Sequence, residues 1–172
     1  MRISPARFFI VFVLLTPVAA LGQTYNAALL GTNETAVCDA DGTGNATIVI
    51  NGTTVSYNIS VANILLPPIG QHIHGPGGTP GVNAPVFVGL TGTWSGGTLS
   101  GSVTATQAQV DAINANPAEF YVNVHTSDCG AGAVRGQMVF VSAATSIPTF
   151  SGGILLLLLA VLAVAGVIAL RQ

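Results

Sequence analysis

From Thr54 to Val61 polar and apolar residues alternate. Val55, Tyr57, Ile59 and Val61 fall on one side, and Thr54, Ser56, Asn58 and Ser60 on the other. A period of two is that of a strand with one buried and one wet face. The run 44–50 leads into Asn51-Gly52, a dipeptide suited to the positive φ values of a type I′ turn. The runs 44–50 and 53–61 therefore predict a hairpin. Further short runs rich in β-branched and aromatic residues predict strands over 25–30, 71–74, 85–90, 98–104, 119–125 and 133–141. Thr106 and Gln109 have capping-box spacing, and Asn116-Pro117 closes the one short helix that they open. No repeat is evident. The pattern predicts an all-β domain, an antiparallel Greek-key sandwich or barrel with one short helix.

The two ends break this pattern. Arg2 and Arg7 precede an apolar run over 8–15, and small residues follow at Ala19, Ala20 and Gly22. That is the build of a secretory signal peptide, assigned to 1–22; an uncleaved anchor is the alternative, though the apolar run is short for a span. At the other end 17 residues, Ile154 to Leu170, are uninterruptedly apolar before Arg171 and Gln172. With no polar face, this segment is expected to cross the membrane as a helix, its basic end in the cytoplasm. Ile147-Pro148-Thr149-Phe150 followed by that run and a final arginine resembles the IPTL-type sorting signal of bacterial surface proteins. Small residues at Ala143-Ala144-Thr145 leave a GPI signal as the eukaryotic alternative. The expected organisation is 1–22 signal peptide, 23–146 β domain and 147–172 sorting or transmembrane segment.

Composition narrows the partners. Of 172 residues only 6% are charged, and there is no lysine. The exported domain holds Arg135 against Glu34, Asp39, Asp41, Asp111, Glu119 and Asp128, a formal charge of −5. Nucleic acid is excluded, because neutralising phosphates takes clustered cations. The two cysteines, Cys38 and Cys129, would enter an oxidising compartment, so a disulfide between them is expected.

Candidate chemistry rests on few residues. His72 and His74 are two apart, so on a strand both imidazoles share a face. On the later strand Tyr121, Asn123 and His125 share one face, and Phe120, Val122 and Val124 the other. Three neutral imidazoles suit copper or zinc and leave a coordination position open. The plainer alternative is that the three histidines hydrogen-bond strands to loops. Arg135 is either an anion guide or a structural cation that caps carbonyls or meets a carboxylate. Trp94 reads as packing. Asp39, Asp41 and Asn45 around Gly42 faintly match a calcium loop but lack its later glutamate, which favours an acidic turn. No nucleophile–base set and no phosphate-binding glycine loop is present.

Four motifs in order bring a family into view. His72-Ile73-His74-Gly75-Pro76, Asn83-Ala84-Pro85-Val86, Tyr121-Val122-Asn123-Val124-His125-Thr126 and Val134-Arg135-Gly136-Gln137 resemble the CHRD domain, first described in chordin. The resemblance spans about residues 25–141 and implies an extracytoplasmic β domain, with no general catalytic activity. The same residues also resemble copper/zinc superoxide dismutases. That likeness implies His72, His74 and His125 as copper ligands and Arg135 as guide of an anionic substrate. The chain lacks a fourth histidine to bridge two metals and lacks a zinc-ligand cluster. The resulting expectation is a binding or structural module held at the cell envelope or surface. Its partner would be an extracellular ligand or envelope component, with the membrane engaged through the C-terminal helix. The alternative is a copper-binding, redox-active, dismutase-like protein.

Overall fold

The computed structural model describes residues 22–141. The expected signal peptide, but for Gly22, and the expected sorting or transmembrane segment lie outside the described residues. Among the described residues, no helix is long and apolar enough to cross a membrane.

Alternation becomes a hairpin of β2 (Thr43–Asn51) and β3 (Thr54–Ala62). Its turn is one residue later than the sequence suggests. Gly52 and Thr53 form the loop, and only Gly52 has positive φ, at 56°. Glycine at the first central position is the type II′ signature, so the type I′ expectation is corrected. This register sets Ile50 opposite Val55, apolar against apolar, where the expected one sets it against Thr53. β1 (Gln23–Leu30) pairs along the other edge of β2, and β6 (Thr98–Thr104) along β3.

The remaining strands are β4 (Gly70–His74), β5 (Val86–Gly89), β7 (Tyr121–His125), β8 (Val134–Gln137) and β9 (Val139–Val141). The single strand expected over 133–141 is broken at Met138. Met138 is buried, and its N–H donates to the Phe120 carbonyl. Residues 117–119 form a turn of 3-10 helix instead of starting β7. The helix α1 (Gln107–Ala115) has the expected capping box, in which the Gln109 N–H donates to Thr106 Oγ1 and the Thr106 N–H donates to Gln109 Oε1.

All pairings are antiparallel, in the order β5-β4-β7-β8-β1-β2-β3-β6, with β9 on β1. One continuous sheet curls into a nearly closed barrel, so of the two architectures expected the sandwich is set aside. Leu29, Ile48, Ile59, Ile73, Leu99, Ile113, Val122 and Val124 fill its interior. Trp94 packs at the edge of this core, its indole N–H on Gln71 Oε1 at 3.0 Å.

Candidate functional site

The outer face of β4, β7 and β8 is unusual for a barrel because it is not wet. Four of the five residues of β7 and three of the four of β8 are buried, whichever way they point. Loops cover this face. Gln137 donates to the Gly78 carbonyl, and His74 Nδ1 meets the Ala84 carbonyl at 2.9 Å, so the 75–85 loop lies against the sheet. On the other flank the Cys38–Cys129 disulfide joins the 31–42 loop to the loop after β7, with Cα atoms 5.8 Å apart. Polar residues under this cover must find partners or ligands, since an unpaired buried polar atom is costly.

Strand register assembles the site. Gly70 pairs with His125, His72 with Asn123 and His74 with Tyr121. The three histidines therefore share the outer face of two adjacent strands. Their rings are 5.2 Å (His72–His125), 5.6 Å (His72–His74) and 6.0 Å (His74–His125) apart, centroid to centroid. One nitrogen from each lies within 4.8 Å of the other two. A common ion at ~2.0–2.1 Å from each nitrogen needs them about 3.4 Å apart, a spacing that this limit admits. Gly70 borders the cluster. A Cβ there would lie 3.4 Å from His72 Cε1 and 3.8 Å from His125 Cδ2.

Hydrogen bonds decide which nitrogen each ring offers. His74 Nδ1 faces the Ala84 carbonyl, and His125 Nδ1 faces the Gly130 carbonyl at 3.1 Å. A carbonyl accepts only, so both rings carry the proton on Nδ1 and keep a lone pair on Nε2. Those two Nε2 atoms and His72 Nδ1 are buried without a partner. Burial, with the neighbouring imidazoles, holds His72 below the ordinary imidazole pKa. Burial also lowers His74, against the opposing pull of its bond to Ala84. Neutral rings with free lone pairs are the form that ligates a metal.

Arg135 lies one strand further along the same row, opposite Asn123. It is 1% exposed. Its guanidinium donates to Asn83 Oδ1 and to the Thr79 and Val82 carbonyls, and it stacks 3.8 Å above the centre of the Tyr121 ring. Of the carboxylates counted against it, Glu34, Asp39 and Asp128 are not among these hydrogen-bond partners.

One further residue escaped the sequence reading. Glu34 counted there only as a charge; it is buried, and burial raises its pKa to about 7 against the opposing pull of Arg135. Its Oε1 and Asn123 Oδ1 are both buried without partners. Gly132, at φ 140°, leaves room for them, since a Cβ there would come within 2.5 Å of the first and 2.7 Å of the second. Nothing local in the sequence marks this pairing. Asp39, Asp128 and Cys129 also gather, but the Cys129 sulfur is bonded to Cys38, leaving two carboxylates. That is an acidic corner rather than the calcium loop faintly suggested by Asp39, Asp41 and Asn45.

A CHRD-domain model matches residues 25–138, from within β1 to the residue that follows β8, and the chain belongs to the CHRD-domain family. The family suggests an extracellular binding or structural module, in keeping with an exported chain. No curated protein and no solved structure matches the chain.

Proposed function

We propose that this protein is an exported CHRD module, retained at the cell envelope, that binds a transition-metal ion through His72, His74 and His125. The observation that carries the proposal is the convergence of three buried imidazole nitrogens without partners, two of them aimed by carbonyls behind the ring. An all-imidazole set suits copper and zinc over magnesium or calcium, and divalent copper heads the affinity order. Copper is therefore the ion proposed. Second-row support of this kind, a carbonyl fixing the far nitrogen of each ligating ring, is what metal-binding histidines ordinarily have.

The organisation proposed around the site is a signal peptide over 1–22, the module over 23–146 and a sorting or membrane segment over 147–172. An extracellular ligand or envelope component remains the macromolecular partner proposed for the module. No catalysis is proposed. Arg135 is buried under a loop, and the carboxylate corner at Asp39 and Asp128 is not an imidazole-rich second metal site.

The test is metal analysis of the purified full chain after copper loading and desalting. One copper per chain, lost in the H72A/H74A/H125A triple variant, is the expected result. A wild-type chain that retains no copper and no zinc refutes the metal reading and leaves a binding module without an ion.

A further inference from the structure

We infer that Arg135 is the positioning residue of the histidine cluster, acting on His74 through the 79–84 loop and the Tyr121 ring. The inference rests on the metal reading for its consequence but not for its geometry.

Two routes lead from Arg135 to His74. The first runs through backbone. The guanidinium donates to the carbonyls of Thr79 and Val82 and to Asn83 Oδ1, three anchors within five residues. The next residue, Ala84, supplies the carbonyl that receives His74 Nδ1–H. A planar group with several fixed donors can hold such a loop in one conformation, which an ammonium cannot. The second route runs through rings. Arg135 covers one face of Tyr121, and Tyr121 lies parallel to His74 with centroids 4.9 Å apart. The Tyr121 hydroxyl also accepts from the Ala84 N–H at 3.2 Å, so both routes close on the same residue. His125 is independent of them, because its Nδ1–H goes to Gly130 on the disulfide-linked loop. Arg135 thereby acts on one ligand of the three. Its near-complete burial and its three loop anchors suit the guanidinium to this inward task.

The experiment reads the imidazole tautomers of the full chain by long-range proton–nitrogen NMR, at a pH where the rings are neutral. In the wild type His74 and His125 should each show a single Nδ1–H tautomer. In R135Q, His74 should become a mixture of tautomers while His125 stays locked, which separates loss of positioning from loss of fold. R135K should fall between the two. If R135Q does not fold, N83A takes its place. That side chain is exposed, accepts from Arg135, and its loss should shift His74 in the same direction. An unchanged His74 in folded R135Q, or in N83A where R135Q does not fold, overturns the inference. Divalent copper titrated into the same samples should bind R135Q at least tenfold more weakly, as loss of ligand support does elsewhere. If the wild type binds no copper yet His74 responds to R135Q, the metal reading fails and the positioning role stands.

Discussion

Tyr121 lies flat against His74, with ring planes 4° apart, and Arg135 covers the opposite face of the same phenol ring. The stack buries Tyr121 to 2% exposure on what would otherwise be the wet side of the barrel. Ring and hydroxyl contribute separately. Tyr121→Phe keeps the stack and loses the bond from the Ala84 N–H, at a cost of about 1 kcal/mol. Tyr121→Ala removes the ring and should cost roughly 3–5 kcal/mol, as large aromatic deletions do. Urea unfolding of both variants checks this. Equal losses would mean that the ring stack adds nothing to stability.

The histidine cluster predicts a defined response to metal and to pH. Each of H72A, H74A and H125A should weaken copper binding by on the order of 100-fold, at least the cost of losing a supporting group. Burial and mutual proximity hold His72 and His74 below the ordinary value of 6.5, so protons compete with metal only in more acid solution. Copper affinity should hold down to pH 6.5 and fall below it. Without metal, the unfolded chain takes up protons near 6.5 that these folded imidazoles refuse, so their contribution to stability is complete above 6.5 and declines as pH falls below it. Equilibrium dialysis across pH 5 to 8 measures the first effect. A midpoint at or above 6.5 contradicts it.

Glu34 works in the opposite direction. Burial raises its carboxyl from 4.5 to about 7, with Arg135 opposing, so the folded state prefers the proton. The contribution is therefore complete below pH 4.5 and is lost as pH rises to about 7. A protonated carboxyl is also a donor, which the unpartnered Asn123 Oδ1 beside it lacks. Glu34→Gln supplies a permanent donor and no charge. It should leave stability at pH 4 nearly unchanged and raise it at pH 8 by about 1 kcal/mol, the ordinary net worth of a satisfied hydrogen bond. Thermal unfolding at the two pH values decides; a variant less stable than the wild type at pH 8 rules the account out.

How far the sequence disclosed this site depends on the kind of interaction. Strand alternation placed His72 with His74, and Tyr121 with Asn123 and His125, because side-chain direction on a strand is local. That β4 and β7 are neighbours is a long-range pairing, and only their register brings the three rings together. The motif around Asn83-Ala84 could be recognised as part of a family pattern without a reason for it. The structure supplies one, since Asn83 receives Arg135 and Ala84 holds His74. Glu34 was beyond reach, because its burial comes from loops meeting over the sheet and not from its neighbours in sequence. The hairpin turn slipped by one residue for a different reason. Asn51-Gly52 and Gly52-Thr53 are both acceptable turn pairs, and the packing of Ile50 against Val55 selects the second.

The Cys38–Cys129 bridge gives the last prediction, because it acts on the chain and on one ligand together. It spans 91 positions, and closing so long a loop removes on the order of 4 kcal/mol of unfolded-state entropy in the chain model. The double variant C38S/C129S should lose roughly that much stability in urea. The local effect is more specific. Cys129 stands beside Gly130, whose carbonyl orients His125, and the Cys129 N–H is received by Thr126 Oγ1 at 3.2 Å. The Thr126 hydroxyl in turn donates to Asp128 Oδ1, and this bond above all holds the Asp128 carboxyl below its ordinary value. Without the bridge the 126–132 loop keeps these short-range bonds but loses its tie to the 31–42 loop. His125 should then lose its fixed tautomer, while His74, held by Ala84 on the far side, keeps its own. Copper affinity should fall at least tenfold, the cost of removing support from a ligand. Imidazole NMR of the folded double variant reads the difference directly. If His125 stays locked and copper binding is unchanged, the bridge stabilises the domain alone and has no part in holding the site.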